Sequence, residues 1–144
     1  MQYLASTPEG AWAEFLRHEE ITDDVDLAGI RRALWVVEDD EESLRAVHPN
    51  LPISATTGGP ATYPICQREA QRLRTQGVSA LMVPSAALKY STATGNTVSF
   101  GFRVHRSPAW VLVLFGSRPD LVGWLAAVGA PPPEVLARVH HLTD

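Results

Sequence analysis

Glu14 sits in a stretch whose apolar residues lie elsewhere. Ala11, Trp12, Phe15 and Leu16 recur at helical spacing and define a core side. At about 100° per residue, Glu14 falls well away from the centre of that side, so its carboxylate points to solvent or to a cleft. A carboxylate in a cleft can stabilise a positive charge that develops as a bond breaks. Tyr3, just upstream at the end of a short strand, offers a flat face and a polar handle. Ser85 follows Pro84 at the end of an apolar run, where a side chain emerges from a rigid scaffold into a cleft. No histidine and acid stand near Ser85 at triad-like spacing, so it reads as a binding group and not as a nucleophile. Gln67 lies in the first turns of a second helix, within Tyr63-Pro64-Ile65-Cys66-Gln67, facing either the cleft or the surface.

Other reactive residue types form weaker patterns. His18, His48, His105, His140 and His141 show no metal-ligand spacing, and the His140-His141 pair is expected to be exposed on a terminal helix. The acidic run Glu38 to Glu42 lacks the alternating Asp/Asn-Gly pattern of a calcium loop and reads as a solvated helix start leading to Leu44 and Val47. No metal is expected. Gly58-Gly59-Pro60 is not followed by Gly-Lys-Ser/Thr, so it reads as a turn and not a phosphate cradle. Cys66 is the only cysteine. It is expected to be a small buried residue, and its isolation fits a reducing compartment, hence the cytoplasm.

These residues need elements to hold them. Thr7-Pro8-Glu9 starts the first helix: Thr7 caps free amides, Pro8 suits the first turn and Glu9 favours the positive end of the helix dipole. Asp23 to Asp26 reads as an acidic loop and Ala33 to Val37 as a strand. His48 to Tyr63 is a loop rich in Pro, Gly, Ser and Thr. The second helix runs from Pro64 to Gln76, with Ile65, Cys66, Ala70 and Leu73 as its buried stripe and Gly77 as a left-handed stop. Val78 to Val83 is a strand ended by Pro84, and Lys89 to Asn96 is a loop. One strand over Thr97 to Val104 is predicted from the shared side of Val98, Phe100, Phe102 and Val104. Ala109 to Phe115 reads as a fully buried strand and Glu134 to His141 as a last helix; Leu121 to Val128 fits strand or helix, with Gly123 and Gly129 favouring strand. Strands and helices in irregular order favour an α+β fold with mainly antiparallel strands.

The chain has 144 residues, 45% hydrophobic and 19% charged, with a net charge of −4. That is enough for one domain over 1–144 with a real core, and it excludes a disordered composition. Without a basic surplus, no direct binding to nucleic acid or to an anionic membrane is expected. The N-terminus carries no secretory pattern, and Ala109 to Phe115, the longest apolar stretch, falls short of the ~20 residues a membrane span needs.

Tyr3-Leu4-Ala5-Ser6, then Ala11-Trp12-Ala13-Glu14, then Val83-Pro84-Ser85-Ala86 stand in an order and spacing that resembles the RES domain family, named for its arginine, glutamate and serine. The resemblance covers Tyr3 through roughly His141. It implies a split-sheet fold with flanking helices, similar to ADP-ribosyltransferases. It also implies a protein that binds NAD and cleaves it at the nicotinamide–ribose bond as glycohydrolase, phosphorylase or ADP-ribosyl transferase. Such proteins often act as toxins paired with a helix-turn-helix antitoxin. In that frame Glu14 opposes the ribosyl cation, Tyr3 stacks on the nicotinamide or bonds a ribose hydroxyl, and Ser85, with Gln67 near it, holds the NAD. The family's arginine lies upstream of the tyrosine in a Gly-Gly-Arg-aromatic segment, whereas this chain begins at Met1. The domain is therefore expected to be short at its N-terminus relative to the family. Leu88-Lys89-Tyr90-Ser91 stands where the family has an Asn-containing loop. The alternative reading is a catalytically inactive binding or dimerisation module. The apolar Val111 to Phe115 and four tryptophans leave room for a homodimer interface.

Overall fold

The computed structural model describes residues 1–38, 44–89, 94–99 and 103–142, with the backbone alone for 94–99 and 103–108. The acidic residues 39–42 and the loop residues 90–93 therefore lie outside the described residues. The architecture is α+β with antiparallel sheets, as the sequence order implied.

The centre is a three-stranded sheet. β6 (Trp110–Leu114) runs between β1 (Gln2–Ala5) and β3 (Ala80–Pro84), antiparallel to both. Tyr3 is in register with Val113, and Val113 with Leu81. Alternation then sorts the side chains. Leu81, Val111, Val113 and Phe115 join Leu73 on one face, while Ala80, Leu112 and Leu114 join Leu44 on the other. Burial on both faces explains why β6 is a continuous apolar run.

α1 (Pro8–His18) begins where expected, with Thr7 Oγ1 accepting from Gly10 N at 3.0 Å. Trp12, Ala13 and Leu16 pack into a second core with Leu27, Ala87, Leu88, Val135 and Val139. α2 (Asp24–Ala28) replaces the acidic loop expected there: Asp23 accepts from Asp26 N at 2.9 Å, and Leu27 anchors the turn in the core. β2 (Arg32–Glu38) pairs with β7 (Val122–Gly129) as a two-stranded ribbon, bulged between Leu34 and Trp35. Leu34 packs against the α1 core, but Trp35, Val36, Trp124, Leu125 and Val128 are more than half exposed.

The loop after His48 contains α3 (Ile53–Thr56) and a 3-10 turn (Pro60–Thr62), which leads into α4 (Tyr63–Thr75). Gly77, at φ +85°, ends α4 as expected; a side chain in that left-handed conformation would be strained. The stripe expected to be buried on α4 is not. Leu73 alone is buried, Ile65 is exposed, and Cys66 and Ala70 are half-buried because that side faces an open cleft. The strand expected over Thr97 to Val104 is a hairpin, β4 (Thr94–Ser99) paired with β5 (Arg103–Pro108). Phe100 and Phe102, on which that expectation also rested, lie outside the described residues. The last helix is α5 (Pro133–Leu136), shorter than Glu134 to His141. Beyond it the backbone turns to bond another segment: His140 N donates to Ala87 O at 2.7 Å, and Lys89 N to Arg138 O at 3.0 Å. That docking leaves His140 and His141 half-buried instead of exposed. No helix among the described residues is long and apolar enough to cross a membrane.

Candidate functional site

A cleft of about 720 Å³ opens over one face of the central sheet. Tyr3, Leu81, Val83, Val111, Val113 and Phe115 form its floor. Tyr63, Cys66, Gln67, Ala70, Gln71 and Arg74 form one wall, the i, i+3, i+4, i+7, i+8, i+11 stripe of α4. Glu14, Arg17 and His18 of α1 close one end. The floor is apolar because those positions share a sheet face. The wall is mixed because α4 presents its small and polar residues there.

Glu14 is held by two neighbours. Ser85 Oγ donates to its Oε1 at 3.2 Å, and His18 Nε2 lies 3.8 Å from its Oε2, one helical turn on. Burial pushes the Glu14 carboxyl above its ordinary value. The Ser85 hydrogen bond and the charges of His18 and Arg17 oppose that shift without cancelling it. A carboxylate held at a cleft end, partly desolvated and flanked by donors, suits the stabilisation of a cationic centre.

Ser85 itself is only 3% exposed. Its Oγ donates to Glu14 and accepts from Ala87 N at 3.3 Å, so the hydroxyl is committed on both sides. Ser85 lies behind the cleft surface, and its neighbours Pro84 and Ala86 line the cleft. Tyr3 is 65% exposed on the floor, with its hydroxyl 3.7 Å from Met1 Sδ. Gln67 is exposed on the wall. The four residues singled out in the sequence thus come together: three line one cleft, and the fourth bonds Glu14. Cys66 is half-buried in the same wall, its Sγ donating to Ala55 O at 3.3 Å. No cluster among the described residues could hold a metal ion.

In the sequence Arg17 is one of four arginines, with Arg31, Arg32 and Arg103, that could replace the family's upstream arginine in space, and nothing there singles it out. Its guanidinium, on a residue 3% exposed, donates to Gly58 O at 2.9 Å, to His140 O at 3.1 Å and to Ala86 O. His140 Nδ1 is 3.3 Å from Arg17 Nη1. The same Nδ1 is 3.3 Å from Ala86 O, so this ring nitrogen stands between a donor and an acceptor. No carboxylate lies within ion-pair distance of Arg17 among the described residues. The charge therefore ties together three segments remote in sequence and adds to the field at Glu14. Its one available signal was position: three residues after Glu14, it occupies the next turn of α1.

Residues 1–128 match the model of the RES domain. Neither a curated protein nor a solved structure gives a significant match to the chain.

Proposed function

Since the chain belongs to the RES domain family, we propose that it binds NAD in the cleft over the central sheet and cleaves the bond between nicotinamide and ribose. The observation that carries this reading is Glu14, a half-buried, hydrogen-bonded carboxylate at the end of an apolar-floored cleft whose floor includes Tyr3.

The C–N bond breaks with its electron pair leaving on the pyridinium nitrogen, which becomes neutral nicotinamide. The ribose carbon left behind carries cationic character, and the Glu14 carboxylate opposes that charge. For this Glu14 must be ionised, so the reaction strengthens as pH rises through its raised pKa. Ser85 fixes the carboxylate orientation through Oε1, and its contribution to NAD passes through Glu14. Tyr3 stacks on the nicotinamide ring, and Gln67 meets a ribose hydroxyl from the wall. The acceptor is water, phosphate or a protein side chain. In this reading the protein acts as a toxin restrained by a helix-turn-helix antitoxin. The test is NAD consumption by the purified protein, with and without phosphate, read as nicotinamide release. Release by the parent and none by a folded Glu14→Ala protein is the expected result. Equal turnover by both would remove Glu14 from the chemistry.

A second reading, a non-catalytic binding or dimerisation module, draws support from the β2–β7 ribbon, which leaves Trp35, Trp124, Leu125 and Val128 in solvent. It predicts a folded protein that leaves NAD intact and sediments as a dimer or with a partner.

A further inference from the structure

The cleft contains more charge than the chemistry at Glu14 uses. The titratable and cationic side chains lining it are Glu14, Arg17, His18, Arg74, Tyr3, Tyr63 and Cys66. Arg17 is buried, with its donors directed at the Gly58, Ala86 and His140 carbonyls. His18 faces the Glu14 carboxylate. Arg74 differs from both: it is exposed, and no ion pair or side-chain hydrogen bond occupies it among the described residues. Its neighbour Arg72 is by contrast held by Glu69 at 2.8 Å.

The position of Arg74 has a direction. Arg17 bonds Gly58, and that loop leads through Pro60–Thr62 into Tyr63, so the α1 end of the cleft lies beside the start of α4. Arg74 lies in the last turn of α4, about 16 Å further along the helix axis at ~1.5 Å per residue. Gln67 and Gln71 stand between the two ends on the same stripe. The helix C-terminus carries a partial negative charge, which a full guanidinium charge outweighs. The sequence of groups along the wall is therefore carboxylate, neutral amides, cation.

We propose that Arg74 is the anion-binding residue of the cleft and takes the diphosphate of a dinucleotide whose ribosyl end lies at Glu14. A guanidinium presents a planar fork of donors to phosphate oxygens, and an open one needs no displacement of an existing partner. The assignment rests on the NAD reading, and it specifies which end of the ligand lies where: the cationic ring against Glu14, the diphosphate toward the C-terminal end of α4.

The test is calorimetric titration of the purified parent, Arg74→Gln and Arg74→Lys proteins with ADP-ribose, which has the diphosphate, and with nicotinamide riboside, which lacks it. Thermal unfolding checks that the variants fold, which an exposed site permits. Arg74→Gln is expected to weaken ADP-ribose binding by at least about tenfold and to leave nicotinamide riboside unchanged. Arg74→Lys is expected to keep part of the affinity as a point charge, and the salt dependence of ADP-ribose binding is expected to fall in Arg74→Gln. Unchanged ADP-ribose affinity in Arg74→Gln overturns the assignment while the NAD reading stands. Equal weakening of both ligands also overturns it, since the diphosphate would not be the group recognised. A parent that binds neither ligand removes the NAD reading and this assignment together.

Discussion

Replacing Arg17 by Met keeps most of the stem and removes every donor. The parent guanidinium bonds three carbonyls, those of Gly58, Ala86 and His140, from a residue that is 3% exposed. Hydrogen bonds from a charged donor contribute about 1.5–3 kcal/mol each, and orphaned buried carbonyls cost about 1–3 kcal/mol. Against this, the variant no longer desolvates a cation, which recovers several kcal/mol. The net loss expected is about 3 kcal/mol, a large share of the ~5–15 kcal/mol that holds a domain together. With a urea dependence of about 2 kcal/mol per molar, the unfolding midpoint falls by roughly 1.5 M. Arg17→Lys is expected to fall about half as far, because one ammonium cannot point at three separate segments. Urea denaturation followed by tryptophan fluorescence measures both. The cation also helps keep Glu14 ionised against burial, so Arg17→Met moves the acid limb of any activity profile to higher pH. A midpoint shift under about 0.5 M would show that the three carbonyls find water as readily as they find Arg17, and the view of Arg17 as the tie between segments would be wrong.

Glu14→Gln is expected to abolish nicotinamide release and yet gain stability on the parent as pH rises. Burial raises the folded-state pKa of Glu14, so its contribution to stability is fully present below the ordinary value of 4.5 and declines as pH rises through the folded pKa. Parallel urea curves for the two proteins, taken from acid to neutral pH, check the sign. Ser85→Ala removes the hydrogen bond that lowers the Glu14 pKa, so the acid limb should shift to higher pH, with about 1 kcal/mol lost in thermal unfolding. Gly58→Ala places a Cβ 2.9 Å from Ser54 O, against backbone that cannot yield cheaply. It should cost about 1–3 kcal/mol and displace the carbonyl that Arg17 uses, which denaturation would register. Thr7→Ala removes the α1 cap and should lower stability by about 1 kcal/mol in the same assay.

Local signals carried well from sequence to fold. Thr7 and Pro8 mark the start of α1, Gly77 marks the end of α4, and the apolar run before Gly116 is the central strand. The spacing of Tyr3, Glu14 and Ser85 was also legible, because the strand and helix that carry them are short and bounded by clear punctuation. What stayed hidden was pairwise and remote. The Arg17 carbonyl contacts join residues 41, 69 and 123 positions apart, and no periodicity encodes them. Ser85 read as a ligand-facing hydroxyl because a strand end says where a side chain leaves the sheet, not which neighbour it meets. The α4 stripe read as core because apolar spacing cannot tell a closed interior from an apolar-lined cleft.

The same remote contacts set when the cleft exists. The Glu14–Ser85 bond closes a loop of 71 residues and the Arg17–His140 bond one of 123. Loop closure entropy must be met before such contacts return anything, so helices and hairpins form early while the cleft assembles late. A chain with native-like helix content and an unfinished sheet would lack both the held carboxylate and the floor beneath it. Ligand binding during refolding would thus time the completion of the whole domain, while circular dichroism, which responds to helices, would run ahead of it.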